Sequence, residues 1–465
     1  MRTTPDFASA RDGWAGTRVA VIGLGASGVA AARLALAKGG VVHASDLHTD
    51  AATAARGADL EAAGARVELG SHDVEWIAGA GVVVVSPGIP PDAPLLRELE
   101  RRGVVWVSEP ELAFRFYQAP LIAVTGTNGK TTTTLLVGHL LERAGVTAAV
   151  GGNVGGGLAP AASALALGEN VPDWYVLEMS SFQLAGIDRF RPAIGVVTNL
   201  SPDHLDRYPS LEAYHADKAR LFRNAGPDSA WVLPHADAEV AALAGEAAGT
   251  RYAFGGTVED ATHAYVDAGV LTLRTGGAPE PLLPEAEVPL LGRHNVRNAL
   301  AAALVARLAG ARSDGIADGL ATARPLPHRM EPVVERNGVL WVNDSKATNV
   351  SATATALESL DRPVVLLLGG KDKGEDFGVL AGAVAGRARA VLAFGAAGPR
   401  IARELGAHED VELLGDDFRA VLTRAARHAR AGDVVLLSPA CSSFDMFESY
   451  EHRGRSFSEL AQEIA

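Results

Sequence analysis

The residues best suited to chemistry lie between Thr125 and Thr131, where the chain reads TGTNGKT. Glycines let backbone N–H groups converge on an anion, and the start of a helix adds partial positive charge. Lys130 can neutralise the β- and γ-phosphates of a nucleotide as a point charge, and the hydroxyl of Thr131 can ligate Mg²⁺. The strict GxxxxGK[ST] pattern is not met, because Val124 stands at the first glycine position. The loop is therefore a shortened relative of that pattern, and it predicts a site for a nucleoside triphosphate.

The sequence around this loop indicates a strand, a turn and a helix. The apolar run 121–124 precedes the loop, and leucines at helical spacing, Leu136 and Leu140, follow it. The phosphate-binding residues predicted from this arrangement are Gly126, Thr127, Asn128, Gly129, Lys130, Thr131 and Thr132.

Two later apolar runs end in residues that could ligate a metal. The run 174–177 ends at Glu178, and the run 194–198 precedes SPDHLDRY, which contains Asp203 and His204. Ligands of open α/β sheets gather at the carboxyl ends of strands, so these side chains are expected on the same edge as Lys130. Mg²⁺ prefers oxygen ligands, which favours Glu178; a metal-ligand role and a structural hydrogen bond remain equally open for His204.

A helix further on carries Tyr214, Lys218 and Phe222 on one face. The residues alone favour a solvated helix cation for Lys218, beside Asp217. The next helix opens with GRHNVRN, whose asparagines stand three positions apart. They could bind a nucleobase, or one could cap the helix.

The N-terminal region has a Rossmann-type opening. A short strand runs into GLGASG, which completes GxGxxG, and the next strand ends at Asp46. Read alone, this pattern predicts NAD, FAD or another nucleotide-like ligand. The strand 82–85 ends in SPGIP, which could line the same crevice or be an ordinary turn.

The C-terminal region has apolar runs at 340–342, 364–368, 390–394 and 434–437, with helical stretches between them. These runs predict another parallel, doubly wound sheet. Polar clusters NDSKATN, GGKDK and SPACSSF follow three of the runs, which predicts a site for an anionic or amino-acid-like ligand at one sheet edge. Cys441 is interpreted as a packed small hydrophobe rather than a nucleophile.

Composition limits the class of protein. The chain has 465 residues, enough for about three domains, and a net charge of −13, which argues against a nucleic-acid or anionic-membrane surface. A single cysteine excludes an intrachain disulfide, and neither a signal peptide nor a membrane helix is expected, so the cytoplasm is predicted. We predict α/β architecture with three doubly wound Rossmann-like domains, 1–118, 119–323 and 324–465, of which the central one is a P-loop-type ATPase domain. One nucleotide loop between two further sites suggests an ATP-driven joining reaction.

The motifs taken together resemble the Mur ligase family along the whole chain. TGTNGKT and DHLDR are typical of the wider superfamily, and NDSKATN and SPACSSFDMF resemble the members that add D-glutamate. The resemblance implies an ATP-dependent ligase that joins D-glutamate to UDP-N-acetylmuramoyl-L-alanine through an acyl phosphate, in peptidoglycan precursor synthesis. It implies ATP and two Mg²⁺ ions as cofactors and small-molecule substrates. We also predict no nucleic-acid partner, no membrane insertion and a monomer.

The resemblance also implies roles for individual residues. Lys218 would be carbamylated, which replaces its interpretation as a solvated helix cation. The catalytic residues would be Lys130, Glu178, His204 and Lys218. The metal ligands would be Thr131 and Glu178 for one ion, and His204 and Lys218 for the other. ATP would also contact Asn295, Arg329 and Asp344. The UDP-substrate would contact Ser27, Asp46, Leu47, Gly88, Asn153 and Gln183. D-glutamate would contact Lys346, Thr348, Lys373, Ser443 and Phe444. Lys371 is an alternative to Lys373, and Tyr450 stands where phenylalanine is expected.

Three other functions remain open at this point. A folylpolyglutamate synthase would share the ATP and metal sites but take a folate. A nicotinamide-dependent oxidoreductase would use GxGxxG and leave TGTNGKT unexplained. A nucleotide-gated binding protein would not be an enzyme, and ATP consumption that strictly requires two co-substrates would exclude it.

Overall fold

The computed structural model describes residues 14–90, 93–155, 157–203, 207–258, 262–406 and 411–465. Within these ranges the strands form three sheets, which follow one another along the chain. Most neighbouring strands are parallel, as predicted, and helices connect them. The predicted α/β fold with three Rossmann-like sheets is confirmed.

The first sheet has strand order β3-β2-β1-β4-β5, and all its pairs are parallel. Val19 and Val21 pack into one apolar cluster, whereas Ala20 and Ile22 pack into another. Alternate residues of β1 therefore bury both faces of the sheet, as a doubly wound fold requires. Its strands are β1 (Arg18–Ile22), β2 (Val41–Asp46), β3 (Arg66–Leu69), β4 (Val82–Val85) and β5 (Val107–Ser108). Its helices are α1 (Ala26–Ala37), α2 (Ala51–Ala62), α3 (Val74–Ala78), α4 (Pro94–Arg101) and α5 (Glu109–Phe114).

The second sheet has strand order β14-β13-β12-β11-β10-β9-β6-β8-β7. The strand before the phosphate loop, β6, lies between β9 and β8, so the residues that follow these three strands meet at one edge. The antiparallel pairs β12–β13 and β13–β14 were not predicted. Its strands are β6 (Leu121–Thr125), β7 (Ala148–Gly152), β8 (Trp174–Glu178), β9 (Ile194–Val197), β10 (Ala230–Pro234), β11 (Thr250–Gly256), β12 (Ala264–Asp267), β13 (Val270–Leu273) and β14 (Glu280–Pro284).

Helices of this middle region connect and cover its strands. Short 3₁₀ turns occupy Arg220–Phe222 and Glu285–Glu287. The helices are α6 (Lys130–Arg143), α7 (Ala162–Leu165), α8 (Ser181–Ala185), α9 (Leu211–Ala219), α10 (Ala238–Ala244), α11 (Arg293–Leu308) and α12 (Ser313–Ala321).

The third sheet has strand order β15-β16-β20-β17-β18-β19, with one antiparallel pair, β15–β16, at its edge. Leu366 and Leu368 pack on one face and Val365 and Leu367 on the other, so this sheet is also covered on both sides. Its strands are β15 (Glu331–Arg336), β16 (Val339–Asn343), β17 (Val364–Gly369), β18 (Ala388–Phe394), β19 (Val411–Leu413) and β20 (Val434–Leu437). Its helices are α13 (Val350–Glu358), α14 (Ala381–Val384), α15 (Gly398–Glu404), α16 (Phe418–His428) and α17 (Tyr450–Ile464), with a 3₁₀ turn at Phe377–Leu380.

The chain packs as two compact units. The first runs to Pro284 and also includes Asn298–Leu320, so it holds the first two sheets. The second comprises Glu285–Arg297 and the chain from Ala321, and it holds the third sheet. The predicted boundaries after residues 118 and 323 stay predictions. None of the described helices is both long enough and apolar enough to cross a membrane.

Candidate active site

The phosphate loop connects β6 to α6 through two glycines with left-handed backbone. Gly126 has a φ of 137° and Gly129 a φ of 81°. A Cβ on Gly126 would lie 2.0 Å from Oγ1 of Thr198, and one on Gly129 would lie 2.5 Å from Oδ1 of Asn298. Only glycine therefore fits either position. Helix α6 begins at Lys130 without a side-chain cap, so the positive end of the helix dipole lies at the loop.

Residues that follow β9 hold this loop in shape. The hydroxyl of Thr198 donates to the Asn128 carbonyl at 2.6 Å, and the amide of Asn199 donates to the same oxygen at 2.9 Å. The backbone N–H of Asn128 donates in turn to Oδ1 of Asn199 at 3.0 Å. Thr198 and Asn199 were not predicted as functional residues. Their position at the end of β9, the strand next to β6, could have identified them.

Two lysines donate to carbonyl oxygens of the phosphate loop. Lys130 Nζ lies 2.7 Å from the Thr127 carbonyl, and Lys218 Nζ lies 2.7 Å from the Gly126 carbonyl. Lys218 is 1% exposed, so the interpretation of a solvated helix cation was wrong. The reason is that α9 buries the face that carries Tyr214 and Lys218, and the ammonium lies 4.6 Å from the centre of the Tyr214 ring.

The electrostatics of Lys218 follow from its burial. Desolvation and the nearby charge of Lys130 hold the pKa of Lys218 well below its usual range, although the carboxylates of Asp203 and Glu178 oppose the shift. The amine is therefore neutral more often than that of an exposed lysine, which makes it more nucleophilic.

Glu178 ends β8 beside the loop and is 2% exposed. Its Oε1 accepts a hydrogen bond from the Asn153 amide at 3.2 Å. Its Oε2 is buried and has no hydrogen-bond partner among the described residues. A buried carboxylate oxygen needs a positive partner. The buried Thr131 hydroxyl, at the start of α6, is a second oxygen donor for such a partner. These oxygen donors fit a divalent cation such as Mg²⁺.

His204, the remaining one of the four predicted metal ligands, lies outside the described residues. Within the described ranges, no group of three or more His, Cys, Asp or Glu side chains is close enough to hold a metal ion. The role of His204 therefore stays a prediction.

Gln183 is part of a capping box at the start of α8. Its Oε1 accepts from the backbone N–H of Ser180 at 3.0 Å, and the Ser180 hydroxyl accepts from the Gln183 N–H at 3.2 Å. The side-chain Nε2 of Gln183 is buried and has no partner within the part of the chain that is described. That donor is available to a ligand.

A cavity of about 820 Å³ lies at the carboxyl ends of β1, β2 and β4 in the first sheet. Its lining includes four residues predicted to bind the UDP-substrate, namely Ser27, Asp46, Leu47 and Gly88. The Ser86 hydroxyl donates to the Gly23 carbonyl at 2.8 Å, so the SPGIP turn does join the GLGASG loop and line the same crevice. Arg56 and His72 also line the cavity, but sequence reasoning missed them because they belong to no motif.

Asp46 shapes the wall of this cavity from the end of β2. Its carboxylate accepts the backbone N–H of Leu24 at 2.7 Å and that of His48 at 2.9 Å. Burial raises the pKa of Asp46, but these hydrogen bonds outweigh it and the pKa lies below the usual value. The Asp46 carboxylate therefore stays ionised and fixes the glycine loop. Asn153, which is also predicted to contact the UDP-substrate, instead donates a hydrogen bond to Glu178 at the end of β8 in the second sheet.

The three polar turns of the C-terminal region lie at one edge of the third sheet, as predicted. The strands that precede them, β16, β20 and β17, are neighbours. The Ala440 N–H donates to the Ala347 carbonyl at 3.0 Å, and Lys371 and Ser442 exchange backbone hydrogen bonds at 2.9 and 3.0 Å. Backbone hydrogen bonds thus join the three turns to one another.

Several of the predicted D-glutamate residues lie on these turns. Lys373 Nζ donates to Oγ1 of Thr348 at 3.1 Å, whereas Lys371 pairs through its backbone. Lys346 Nζ lies 5.3 Å from the centre of the Tyr450 ring. The Ser443 hydroxyl is buried without a partner in the described ranges, and Phe444 is 69% exposed. The structure brings Lys373 and Thr348 together and leaves the Ser443 hydroxyl available to a ligand.

The predicted ATP contacts Asn295, Arg329 and Asp344 belong to the second unit. Asp344 accepts hydrogen bonds from the Ser438 hydroxyl at 2.8 Å and the Met330 N–H at 3.1 Å. Burial raises the pKa of Asp344 to about 7, although those bonds and the charge of Arg329 oppose it. The Asn295 side-chain amide donates to the Leu291 carbonyl at 2.8 Å, and this hydrogen bond stabilises the start of α11.

The fold and the loop define a class: α/β proteins with three Rossmann-like sheets and a phosphate loop in the middle region. The chain matches three families, described as "Mur ligase MurD-like, N-terminal domain" over residues 17–108, "Mur ligase middle domain" over 124–306 and "Mur ligase, glutamate ligase domain" over 328–441.

Curated relatives agree with these matches, and a solved structure shares the fold. The chain is 43% identical to the UDP-N-acetylmuramoylalanine--D-glutamate ligase of Salinibacter ruber, over 96% of this chain and 98% of the relative. It is also 43% identical to the enzyme of that name from Anaeromyxobacter dehalogenans, over 97% and 98% of the two chains. The crystal structure of the MurF ligase from Thermotoga maritima in complex with ADP has a similar fold, with a TM-score of 0.60, 16% identity and coverage of 97% and 96%. The chain belongs to the Mur ligase family.

Proposed function

We propose that this ligase adds D-glutamate to UDP-N-acetylmuramoyl-L-alanine with ATP, in the synthesis of peptidoglycan precursors. The observation that carries the proposal is the identity of about 40–43% to relatives with that activity in their name, over nearly the whole length of the chain. The geometry supports it, because each of the three regions has candidate ligand-binding residues at the carboxyl edge of its sheet.

The reaction would take place in two steps. An oxygen of the alanine carboxylate attacks the γ-phosphorus of ATP, the bond to the bridging oxygen breaks, and ADP leaves. The amine of D-glutamate then attacks the acyl carbon and loses a proton. The tetrahedral intermediate collapses to the amide as inorganic phosphate leaves. Lys130 and the N–H groups at the start of α6 would hold the phosphates in line, so catalysis would rest on positioning and charge neutralisation.

Two Mg²⁺ ions fit the donors beside the loop. Thr131 and Glu178 would hold one, and the unpartnered buried Oε2 of Glu178 supports this assignment. His204 and a carbamylated Lys218 would hold the other. When bound, such ions neutralise the charge that develops on the transferred phosphoryl group.

Carbamylation of Lys218 is consistent with its surroundings. A buried amine with a lowered pKa is neutral often enough to attack carbon dioxide, and loss of a proton then gives an N-carboxylate. The modification would replace a buried cation near Lys130 by an anion, which relieves the repulsion between the two side chains.

The remaining assignments follow the sites described above. The cavity of the first sheet, with Ser27, Asp46, Leu47 and Gly88, would take the uridine diphosphate, and Asn153 and Gln183 would contact the muramoyl part. Asn295, Arg329 and Asp344 would contact ATP. The turns of the third sheet would bind D-glutamate through Lys346, Thr348, Lys373, Ser443 and Phe444. We further propose a monomer in the cytoplasm, with no nucleic-acid partner and no membrane insertion.

The test is phosphate release from ATP with UDP-N-acetylmuramoyl-L-alanine present, compared for D-glutamate, L-glutamate and no amino acid. Turnover with D-glutamate alone is the expected result. Equal phosphate release in all three reactions would contradict the proposal and leave only an ATPase.

A further inference from the structure

Arg453 lies in the first turn of α17 and is fully buried, with 0% of its surface exposed. Its hydrogen-bond partners are one hydroxyl and four carbonyl oxygens rather than a carboxylate. A buried guanidinium is costly unless its donors are satisfied. This arrangement therefore needs a reason beyond simple packing.

All five N–H donors of the Arg453 guanidinium are used. Nε donates to the Ser345 hydroxyl at 2.9 Å and Nη2 to the Ser345 carbonyl at 2.8 Å. The second Nη2 hydrogen goes to the Cys441 carbonyl at 3.1 Å. Nη1 donates to the Gly369 carbonyl at 3.3 Å and to the Ser442 carbonyl at 3.4 Å.

These acceptors belong to the three turns that follow β16, β17 and β20. Ser345 precedes Lys346, Gly369 ends β17 just before the turn that carries Lys373, and Ser442 precedes Ser443. One side chain thus connects the three backbone segments that present the proposed D-glutamate residues. The planar fork of arginine fixes the directions of the five bonds, so it fixes the turns relative to one another.

The backbone around Arg453 is fitted to its approach. Gly370 has a φ of 128°, and a Cβ there would lie 3.0 Å from Nη1 of Arg453 and 2.2 Å from the Ser442 carbonyl oxygen. Burial lowers the pKa of Arg453 to about 10, and the charge of the Asp445 carboxylate opposes this shift. Arg453 therefore stays charged at neutral pH and keeps all five donors.

We propose that Arg453 is the positioning residue of the amino-acid site: it holds the three turns of the third sheet in the arrangement that binds D-glutamate and presents its amine. This inference rests on the proposed function for the identity of the amino acid. The guanidinium itself acts through the turns, because its donors are already occupied by them.

The test compares Arg453→Lys with a matched control, Arg389→Lys. Arg389 belongs to the same unit and pairs with Asp433, the residue just before β20, at the amino end of the strands. Lysine keeps the charge in both variants but offers three donors instead of five. We expect Arg453→Lys to raise the KM for D-glutamate by about 10- to 100-fold and the KM for ATP by less, because Asp344 lies on one of the three turns, with the KM for the UDP-substrate unchanged. Arg389→Lys should leave all three KM values unchanged.

Hydrogen exchange gives a readout that needs no activity. In Arg453→Lys the amides of residues 344–348, 370–373 and 440–443 should exchange faster than in the wild-type protein, while those of β17 and β20 keep their protection. Ser345→Ala, which removes one acceptor of the guanidinium and should fold, is expected to raise the same KM to a smaller extent. An unchanged KM for D-glutamate in both Arg453→Lys and Ser345→Ala would overturn the inference.

The two proposals fail in different ways. If the wild-type protein shows no dependence on D-glutamate, the proposed function is wrong, and hydrogen exchange alone decides whether Arg453 holds the turns. If wild type depends on D-glutamate but Arg453→Lys behaves like Arg389→Lys in KM and exchange, the function stands and the positioning role is wrong.

Discussion

The Nζ of Lys218 lies 2.7 Å from the carbonyl oxygen of Gly126, although 92 positions separate the two residues in the chain. Lys130, within the loop, reaches the carbonyl of Thr127 at the same distance. The two amines therefore lie against the same short loop, and the charge of Lys130 helps to lower the pKa of Lys218. We propose that the two lysines differ in role: Lys130 is a point charge for phosphate, and Lys218 is the amine that is carbamylated.

Substitution of either lysine should distinguish these roles. Lys218→Ala and Lys130→Ala are each expected to reduce kcat by about 100-fold or more, because each removes charge stabilisation from the phosphoryl transfer. Added acetate or formate should partly restore Lys218→Ala, since a small carboxylate can replace the N-carboxylate, but should not restore Lys130→Ala. The measurement is steady-state phosphate release with and without the carboxylate. Full activity of Lys218→Ala would contradict its role as a metal ligand.

Two glycines at the ends of α6 allow a controlled test of the loop. Gly129 and Gly145 have similar φ angles, 81° and 78°, but only a Cβ on Gly129 would meet a neighbour, Asn298, within 4 Å. Alanine costs about 1–2 kcal/mol in left-handed backbone at either position. We expect Gly129→Ala to raise the KM for ATP and Gly145→Ala to lower only the melting temperature. Equal KM values for ATP in the two variants would show that the Gly129 contact does not shape the nucleotide site.

Glu109 predicts a pH dependence of stability. It is fully buried in α5, its carboxyl accepts the Ser163 N–H, and burial raises its pKa from 4.5 to about 7. A carboxyl whose folded-state pKa is raised contributes stability that is fully present below pH 4.5 and is lost as the pH rises through about 7. The loss amounts to about 3 kcal/mol for this shift.

Glu109→Gln should remove that pH dependence. The melting temperature of the variant minus that of wild type should therefore increase from pH 5 to pH 8. It is measured at each pH by thermal unfolding followed by circular dichroism. Glu61→Gln, an exposed position in α2, is the control and should follow wild type. The same melting-temperature difference between Glu109→Gln and wild type at both ends of the range would refute the prediction.

Cys441 should be inert in the folded protein. It is 0% exposed, and burial raises the pKa of its thiol to about 12, so the reactive thiolate is scarce. We expect Ellman's reagent to modify it slowly in native protein and rapidly in denaturant. Rapid modification of native protein with loss of activity would contradict the interpretation of Cys441 as a packed side chain.

The strands and the loop were predictable because their signals are local. The apolar run 121–124, the glycines and Lys130 follow one another in sequence, and β6, the loop and α6 lie where the pattern predicts them. The three polar turns of the C-terminal region were also predictable, because parallel strands place their carboxyl ends on one edge. The antiparallel strands β12, β13 and β14 were not predicted.

The properties that depend on distant packing could not be predicted from the residues alone. Lys218 looks like a surface cation in its own helix, and only the packing of α9 on the loop buries it. Arg453 stands in the motif ESYEHRG without any sign that its donors would reach three separate turns. Arg56 and His72 face the cavity from elements that carry no motif. Such contacts join residues far apart in the chain, so no local pattern encodes them.

The most direct test of the proposed reaction follows an oxygen atom. UDP-N-acetylmuramoyl-L-alanine with an ¹⁸O-labelled alanine carboxylate is incubated with ATP and D-glutamate, and the released phosphate is analysed by mass spectrometry. An acyl phosphate transfers one carboxylate oxygen to phosphorus, so we predict that the phosphate carries one labelled oxygen for each amide formed. Amide formation with unlabelled phosphate would contradict it.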